Sequence, residues 1–374
     1  MKSKPISLIP VLCAIVLLST GNRNVTLAQE TAPATHSQQP NEDTISRIDT
    51  YLSGLTDDGS FSGAVLIARD GEILLSAGYG MANLEWDVPN TPDTRFRIGS
   101  LTKQFTAMSI LMLQDRGSLT VQDPICQYIE DCPTTWEAIT IEHLLNHTSG
   151  IPEFSRLPGY QQTVTLPTTP AQTIRRFIDE PLNFQPGTIW SYSNSGYVLL
   201  GSIIEQVTGQ TYNQFLDDNI FEPLGMADTG YDINTAIIGH RAEGYANLNR
   251  RASYIDMSLP YAAGGLYSTV EDLYRWNQAL YSWEVVSQVS WDAMLAGAVP
   301  APDTPDAFGA YGLFIIPIHG QTTIGNNGEI SGFRSNLIHL TTENMDFVIL
   351  SNLETVNTNR IRNSLVGTFF DEDR

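Results

Sequence analysis

Basic residues are few. The 374-residue chain carries 20 Lys and Arg against 41 Asp and Glu, a formal net charge of −21 at pH 7. Such a surface repels phosphate backbones and anionic lipid, which argues against nucleic acid and acidic membranes as partners. Cysteine is scarcer still, with three. None lies beside a candidate catalytic motif, so thiol catalysis is not expected. No G-x-S-x-G elbow, P-loop or dinucleotide fingerprint occurs, which removes the α/β-hydrolase, P-loop and Rossmann routes. His143 and His147 are four apart, but no Glu follows the first in the H-E-x-x-H manner. No metal or organic cofactor is expected. Past the first eighteen residues no run is apolar enough to span a bilayer.

What is present begins with an export signal. Lys2 and Lys4 give a positive start, Ile6–Leu18 an apolar stretch and Thr26-Leu27-Ala28 a small-residue cleavage candidate. Residues 1–28 therefore read as a signal peptide, and the destination as secreted or periplasmic. The apolar stretch is short for a span, which favours cleavage over an N-terminal anchor. Cleavage would remove three basic residues and no acidic one, leaving the chain more acidic still. Residues 29–43, rich in Thr, Gln and Pro, read as a flexible leader. Cys126 and Cys132 then remain. An even pair in an exported protein suits a disulfide closing a small loop, two reduced thiols being the other reading.

The rest, residues 44–374, reads as one catalytic unit. Ile45, Ile48 and Leu52 space as a helix. Gly63–Ala68 and Glu72–Ser76 flank the turn signal Arg69-Asp70-Gly71 as a hairpin. From Ser100 to about Arg250 the patterns are mostly helical, broken by Pro- and Gly-rich loops. Strand-like runs return at Leu313–Ile316, Thr322–Gly325, Ser335–Leu340 and Phe347–Ser351, and Ile361, Leu365 and Phe369 mark a closing helix. This order predicts an α/β (α+β) fold. Its antiparallel sheet draws on both chain ends, about 44–99 and 256–374, and is flanked by N- and C-terminal helices. A mostly α-helical part, about 100–255, is inserted between, and a ligand cleft is expected where the two meet.

Ser100-Leu101-Thr102-Lys103 stands where a Gly-ended loop becomes a helix with Phe105, Met108 and Met112 on one face and Gly117 as its stop. Ser and Lys three apart share a helix face, so the amine can reach the hydroxyl. That is the least geometry for an activated serine without histidine. A helix N-terminus also favours developing negative charge. Tyr192-Ser193-Asn194 precedes a second helix with Tyr197, Leu200, Ile204 and Val207 on one face and Gly209 as its stop. Near the end comes Gly325-Asn326-Asn327-Gly328-Glu329-Ile330-Ser331-Gly332-Phe333.

In this order the three stretches resemble the serine β-lactamase and penicillin-binding-protein superfamily. The branch is that of class C enzymes, D-alanyl-D-alanine carboxypeptidases and esterases, marked by S-x-x-K, then Y-x-N, then K/H-T/S-G on a strand. Further stretches resemble it too: Phe96–Ser100, His143–Gly150, Phe221–Met226 and Ala263–Ser268. The resemblance covers roughly residues 43–370 and implies an α/β domain from both termini, an all-α domain between, and the site at their junction.

It also implies roles. Ser100 is the nucleophile, and Lys103 and Tyr192 are candidate bases. Either needs its ordinary pKa, ~10.4 or ~10, lowered before it can serve. The pair titrates as a unit, and the preferred assignment has Tyr192 shuttling the proton while Lys103 holds the field. Asn194 orients the lysine and donates to the substrate. The backbone N–H groups of Ser100 and Glu329 hold the oxyanion, and Gly328 lets the substrate approach the strand. A hairpin turn at Gly325–Gly328 is the competing structural reading. Asn326 and Asn327 stand where the family has Lys or His and Thr or Ser. A neutral amide replaces an ionisable donor, so efficient β-lactamase activity is not expected. Arg334 is near in sequence as a substitute cation.

The reading is an exported serine hydrolase working through an acyl-enzyme on an ester, an amide or a D-amino-acid peptide. The partner is a small molecule or peptide. Two alternatives remain: a D-alanyl-D-alanine carboxypeptidase or weak β-lactamase, and a catalytically silent protein that binds peptides or peptidoglycan.

Overall fold

A computed structural model describes residues 42–302 and 306–370, and two paired three-residue strands, Cys13–Ile15 and Leu27–Gln29. The signal-peptide and leader expectations lie almost wholly outside the described residues. The exceptions are those two short strands, which fall within residues 1–29, and the leader's end. Helix α1, Glu42–Asp57, begins two residues before the expected domain start at 44.

Eight strands form one antiparallel sheet. We number them β1 (Gly63–Arg69), β2 (Glu72–Tyr79), β3 (Val299–Pro300), β4 (Phe308–Ala310), β5 (Leu313–Ile318), β6 (Gln321–Ile330), β7 (Phe333–Leu340) and β8 (Met345–Ser351). Their order is β3-β4-β5-β6-β7-β8-β1-β2, so β8 from the far end of the chain pairs with β1 from the near end. The β1–β2 turn uses Asp70 at φ 52° and Gly71 at φ 84°, the positive angles that suit a two-residue hairpin.

Period-two alternation gives the sheet two apolar faces. Val65 and Ile67, with Ile338, Phe347 and Ile349, pack on Ile48 and Leu52 of α1 and on Ile361 and Leu365 of the closing helix, Thr358–Phe370. Ala64, Leu66, Leu337, Val348 and Leu350 look the other way, into the larger core. That core takes in helices α2 (Thr102–Asp115) and α3 (Asn194–Thr208). Helix α2 is buried almost all round, as a central helix must be. The segment between strands is less helical than its patterns suggest. Much of residues 146–193 is loop and short turns, tied by backbone bonds such as Asn183 N–H to Gly150 O at 2.8 Å. Cys126 and Cys132 are joined by a disulfide on the flank of this core. Among the described residues no helix is long and apolar enough to cross a membrane.

Candidate active site

Ser100 sits in a single 3-10 turn, Gly99–Leu101, that runs directly into α2. The turn is pinned from two sides. Ile98 N–H donates to Leu266 O at 3.0 Å, and Ser335 Oγ of β7 donates to Ile98 O at 2.8 Å. One helical turn on, Lys103 is wholly buried. Its Nζ lies 3.2 Å from Ser100 Oγ and donates to Asn194 Oδ1 at 2.8 Å and to Ala263 O at 2.7 Å. Tyr192 O–H donates to Ser100 Oγ at 2.7 Å. The S-x-x-K and Y-x-N stretches, ninety residues apart, therefore meet on one hydroxyl.

Burial sets the protonation of this trio. It pulls the Lys103 amine down to about 7, against a smaller upward pull from the Glu153 carboxylate. Burial drives the Tyr192 phenol up. Its bond to Ser100 opposes that, and Glu153 and Glu329 add to it. The tyrosine stays a phenol at neutral pH, and the lysine is the group poised to titrate there. Two fixed carbonyl oxygens can take the two N–H bonds of a neutral amine, leaving its lone pair toward Ser100.

Asn194 is the first residue of α3. Ser193 is the cap, its hydroxyl accepting from Gly196 N–H at 3.3 Å. Asn194 itself does not cap the helix. One N–H of its amide nitrogen is taken, because Nδ2 donates to Glu153 Oε1 at 3.1 Å, which leaves a single N–H for a substrate.

The third stretch is strand throughout. The hairpin-turn reading of Gly325–Gly328 fails: β6 runs unbroken from Gln321 to Ile330 and turns only at Ser331-Gly332. Ladder pairing with β7 along most of β6 overrides the local N-N-G preference. Strand β5 pairs with β6 only as far as Gly325, so the Asn327–Glu329 backbone has one open edge beside the serine turn. A Cβ on Gly328 would lie 2.1 Å from Ile98 O and 3.0 Å from Ser100 N; one on Gly99 would lie 2.9 Å from Glu329 N. Glycine at both positions lets strand and turn touch, which brings the N–H groups of Ser100 and Glu329 close together.

Asn326 does not offer its amide to the site. It is buried, with Nδ2 donating to Gly312 O at 2.8 Å and Oδ1 accepting from Asn327 N–H at 2.7 Å. Asn327 lies on the opposite sheet face from Gly328, across from Asn336. Arg334 is opposite Glu329, with its Nη2 3.6 Å from Glu329 Oε2, and so is engaged rather than a free cation for substrate.

Three contributors escaped the sequence reading. Ala263 O is a backbone group. His147 packs its ring 4.6 Å from Tyr192 and accepts from Ser193 N–H at 3.1 Å; burial and the nearby Lys103 hold it down at about 3, so it is neutral. Glu153 is the third. His143 caps its own short helix with Thr140, and among the described residues no cluster of three or more His, Cys, Asp and Glu could hold a metal.

A family profile described as Beta-lactamase matches residues 48–366. The chain belongs to this family. As a β-lactamase-family protein it is a serine hydrolase. PbpX of Bacillus subtilis (strain 168), which carries the provisional name of a penicillin-binding protein, is 30% identical over 322 residues, covering 84% of this chain and 76% of its own. The octameric penicillin-binding protein homologue from Pyrococcus abyssi is 27% identical at a TM-score of 0.76, covering 87% and 77%. A D-stereospecific amidohydrolase from Streptomyces sp. is 25% identical at a TM-score of 0.74, covering 87% and 98%.

Proposed function

We propose that this chain is an exported acyl-enzyme hydrolase for amides, esters or peptides of D-amino acids, with Ser100 as nucleophile and Lys103, rather than Tyr192, as the base for acylation. The observation that carries it is the buried circuit Tyr192–Ser100–Lys103, closed by Asn194 and Ala263. The neutral Lys103 amine takes the Ser100 proton as Oγ bonds to the substrate carbonyl carbon. The N–H groups of Ser100 and Glu329 hold the oxyanion. Tyr192 donates its proton to the leaving nitrogen or oxygen as that bond breaks. The proton on Lys103 returns to Tyr192, and water then releases the acyl group. No metal or cofactor enters this sequence.

Substrate preference follows from charge. Glu153 and Glu329 both act on Tyr192, Asn326 is occupied by Gly312, and Arg334 is engaged by Glu329. Neutral or amine-bearing acyl donors suit such a site better than carboxylate-bearing penicillins. The likeness to a D-stereospecific amidohydrolase supports that class, while the likeness to PbpX keeps a carboxypeptidase as the second reading. The catalytic unit is taken as 44–374, with the site between its sheet and its helical insertion.

The test uses purified chain, a fluorophosphonate and a fluorescent penicillin, each with and without Ser100→Ala. Strong fluorophosphonate labelling lost in Ser100→Ala, with weak penicillin labelling, is expected. Equal labelling by both moves the assignment to a carboxypeptidase. Labelling by neither overturns the hydrolase mechanism.

A further inference from the structure

The acyl-enzyme reading leaves one question about the site: what holds an asparagine amide so that its oxygen, and not its nitrogen, faces the lysine. A side-chain amide presents both groups at similar cost. Around Asn194 the choice is made from behind. Glu153 accepts from the Asn194 backbone N–H and, through Oε1, from Asn194 Nδ2 at 3.1 Å. The same Oε1 accepts from Ser155 N–H at 3.2 Å, which caps the short turn Phe154–Arg156. That turn is in turn tied to α3, where Phe154 N–H donates to Ser195 Oγ at 2.9 Å and Ser195 Oγ donates to Pro152 O at 2.6 Å. The carboxylate is therefore anchored by its own backbone on one side and by the start of α3 on the other.

We propose, resting on the acyl-enzyme reading, that Glu153 is a positioning residue: it fixes the Asn194 carbonyl on Lys103 Nζ and places a negative charge behind the amine. An acceptor-only carboxylate suits this place. It can take only the N–H groups of Asn194, so the amide oxygen is left for the lysine. A neutral amide at 153 could present a donor there and allow Asn194 to turn over.

Charge gives the second consequence. The groups facing Lys103 come from several elements. Tyr192 and Tyr197 lie with ring centres 4.8 and 5.4 Å from Nζ. Burial keeps both as phenols. His147 is neutral. Glu329 acts on Tyr192, and Arg334 offsets it. Among these groups Glu153 is the carboxylate that opposes the effect of burial on the lysine. Removing its charge makes the ammonium harder to keep, so the amine loses its proton at lower pH.

The experiment measures kcat/KM from pH 5 to 9 for the wild type, Glu153→Gln and Glu153→Asp. The substrates are a neutral p-nitrophenyl ester and a D-amino-acid p-nitroanilide with a free amine. Glu153→Gln is expected to move the midpoint of the acid limb down by about one pH unit. Its plateau kcat should fall ~10- to 100-fold with KM for the ester unchanged. Glu153→Asp keeps the charge and the wild-type midpoint. The kcat losses of Glu153→Gln and Asn194→Ala should be less than additive in the double variant, because one acts through the other.

An unmoved midpoint in Glu153→Gln overturns the proposal. So does a KM increase confined to the p-nitroanilide, which would assign Glu153 to a substrate ammonium instead. Should Glu153→Gln not fold, the Glu153→Asp and Asn194→Ala variants carry the test: additive losses between them overturn it. The rate of fluorophosphonate labelling at each pH separates the two levels. A wild type that never labels sinks the acyl-enzyme reading, whereas normal labelling with an unmoved midpoint sinks only the role of Glu153.

Discussion

At the residue scale, the proposed division of labour between Lys103 and Tyr192 makes a leaving-group prediction. A base for acylation is needed whatever leaves. An acid for the leaving group matters most when that group is a poor one. Lys103→Met should therefore lower kcat/KM for an amide and an activated ester of the same acyl group alike, by ~10²- to 10⁴-fold. Tyr192→Phe should cost the amide much more than the ester. The reverse pattern in steady-state kinetics would exchange the two roles. The wild-type acid limb should sit near pH 7, rising with pH as the Lys103 ammonium loses its proton. The sequence made Ser100, Lys103 and Tyr192 legible because each stands in a short, fixed spacing. It left their proton states open, since those come from burial. Glu153 was invisible for a related reason. It is one acid among 41, and its partner lies 41 residues away.

At the scale of elements, periodicity placed α1, the β1–β2 hairpin and the closing helix. The loops around the site were not readable, since their shape depends on partners distant in the chain. Strand β6 shows the limit. Its N-N-G reads locally as a turn, and only pairing with β7 makes it extended. The contact of β6 with the serine turn can be tested at Gly328. Adding a methyl there puts carbon 2.1 Å from Ile98 O and 2.4 Å from Ser335 Oγ, so strand and turn must separate. Gly328→Ala should lower kcat by about 10²- to 10³-fold, as expected for displacing an oxyanion donor, and should lower Tm. Gly54→Ala is the matched control. It lies inside α1 with nothing within 4 Å of the new carbon. It should raise stability by about 0.5–1 kcal/mol and leave kcat unchanged. Thermal unfolding and initial rates on both variants decide the matter. An active Gly328→Ala would show that the strand does not set the oxyanion geometry.

For the whole molecule, the sheet is stitched from both ends of the chain and the site lies deep enough to hold two bases neutral. That depth ties catalysis to stability. In the unfolded chain Lys103 keeps its proton up to ~10.4; in the folded protein it keeps it only below about 7. Between these values the unfolded state binds more protons, so this lysine makes folding stability rise with pH across that window. His147 adds a second slope. It titrates near ~6.5 when unfolded and at about 3 when folded, so stability falls as pH drops through that range. Replacing Lys103 by Met removes the first slope; its effect on His147, which Lys103 also holds down, is confined to pH below about 7. The Met side chain leaves Asn194 Oδ1 and Ala263 O without their donor, a cost that does not change with pH. The stability of Lys103→Met relative to wild type should therefore be greatest near pH 7 and decline steadily toward pH 10. Urea midpoints of both proteins at pH 7, 8.5 and 10 provide the measurement, and the comparison cancels the repulsion among the many carboxylates that both share. A relative stability that is flat across this range would mean that the folded state keeps Lys103 charged, and the assignment of the base would pass to Tyr192.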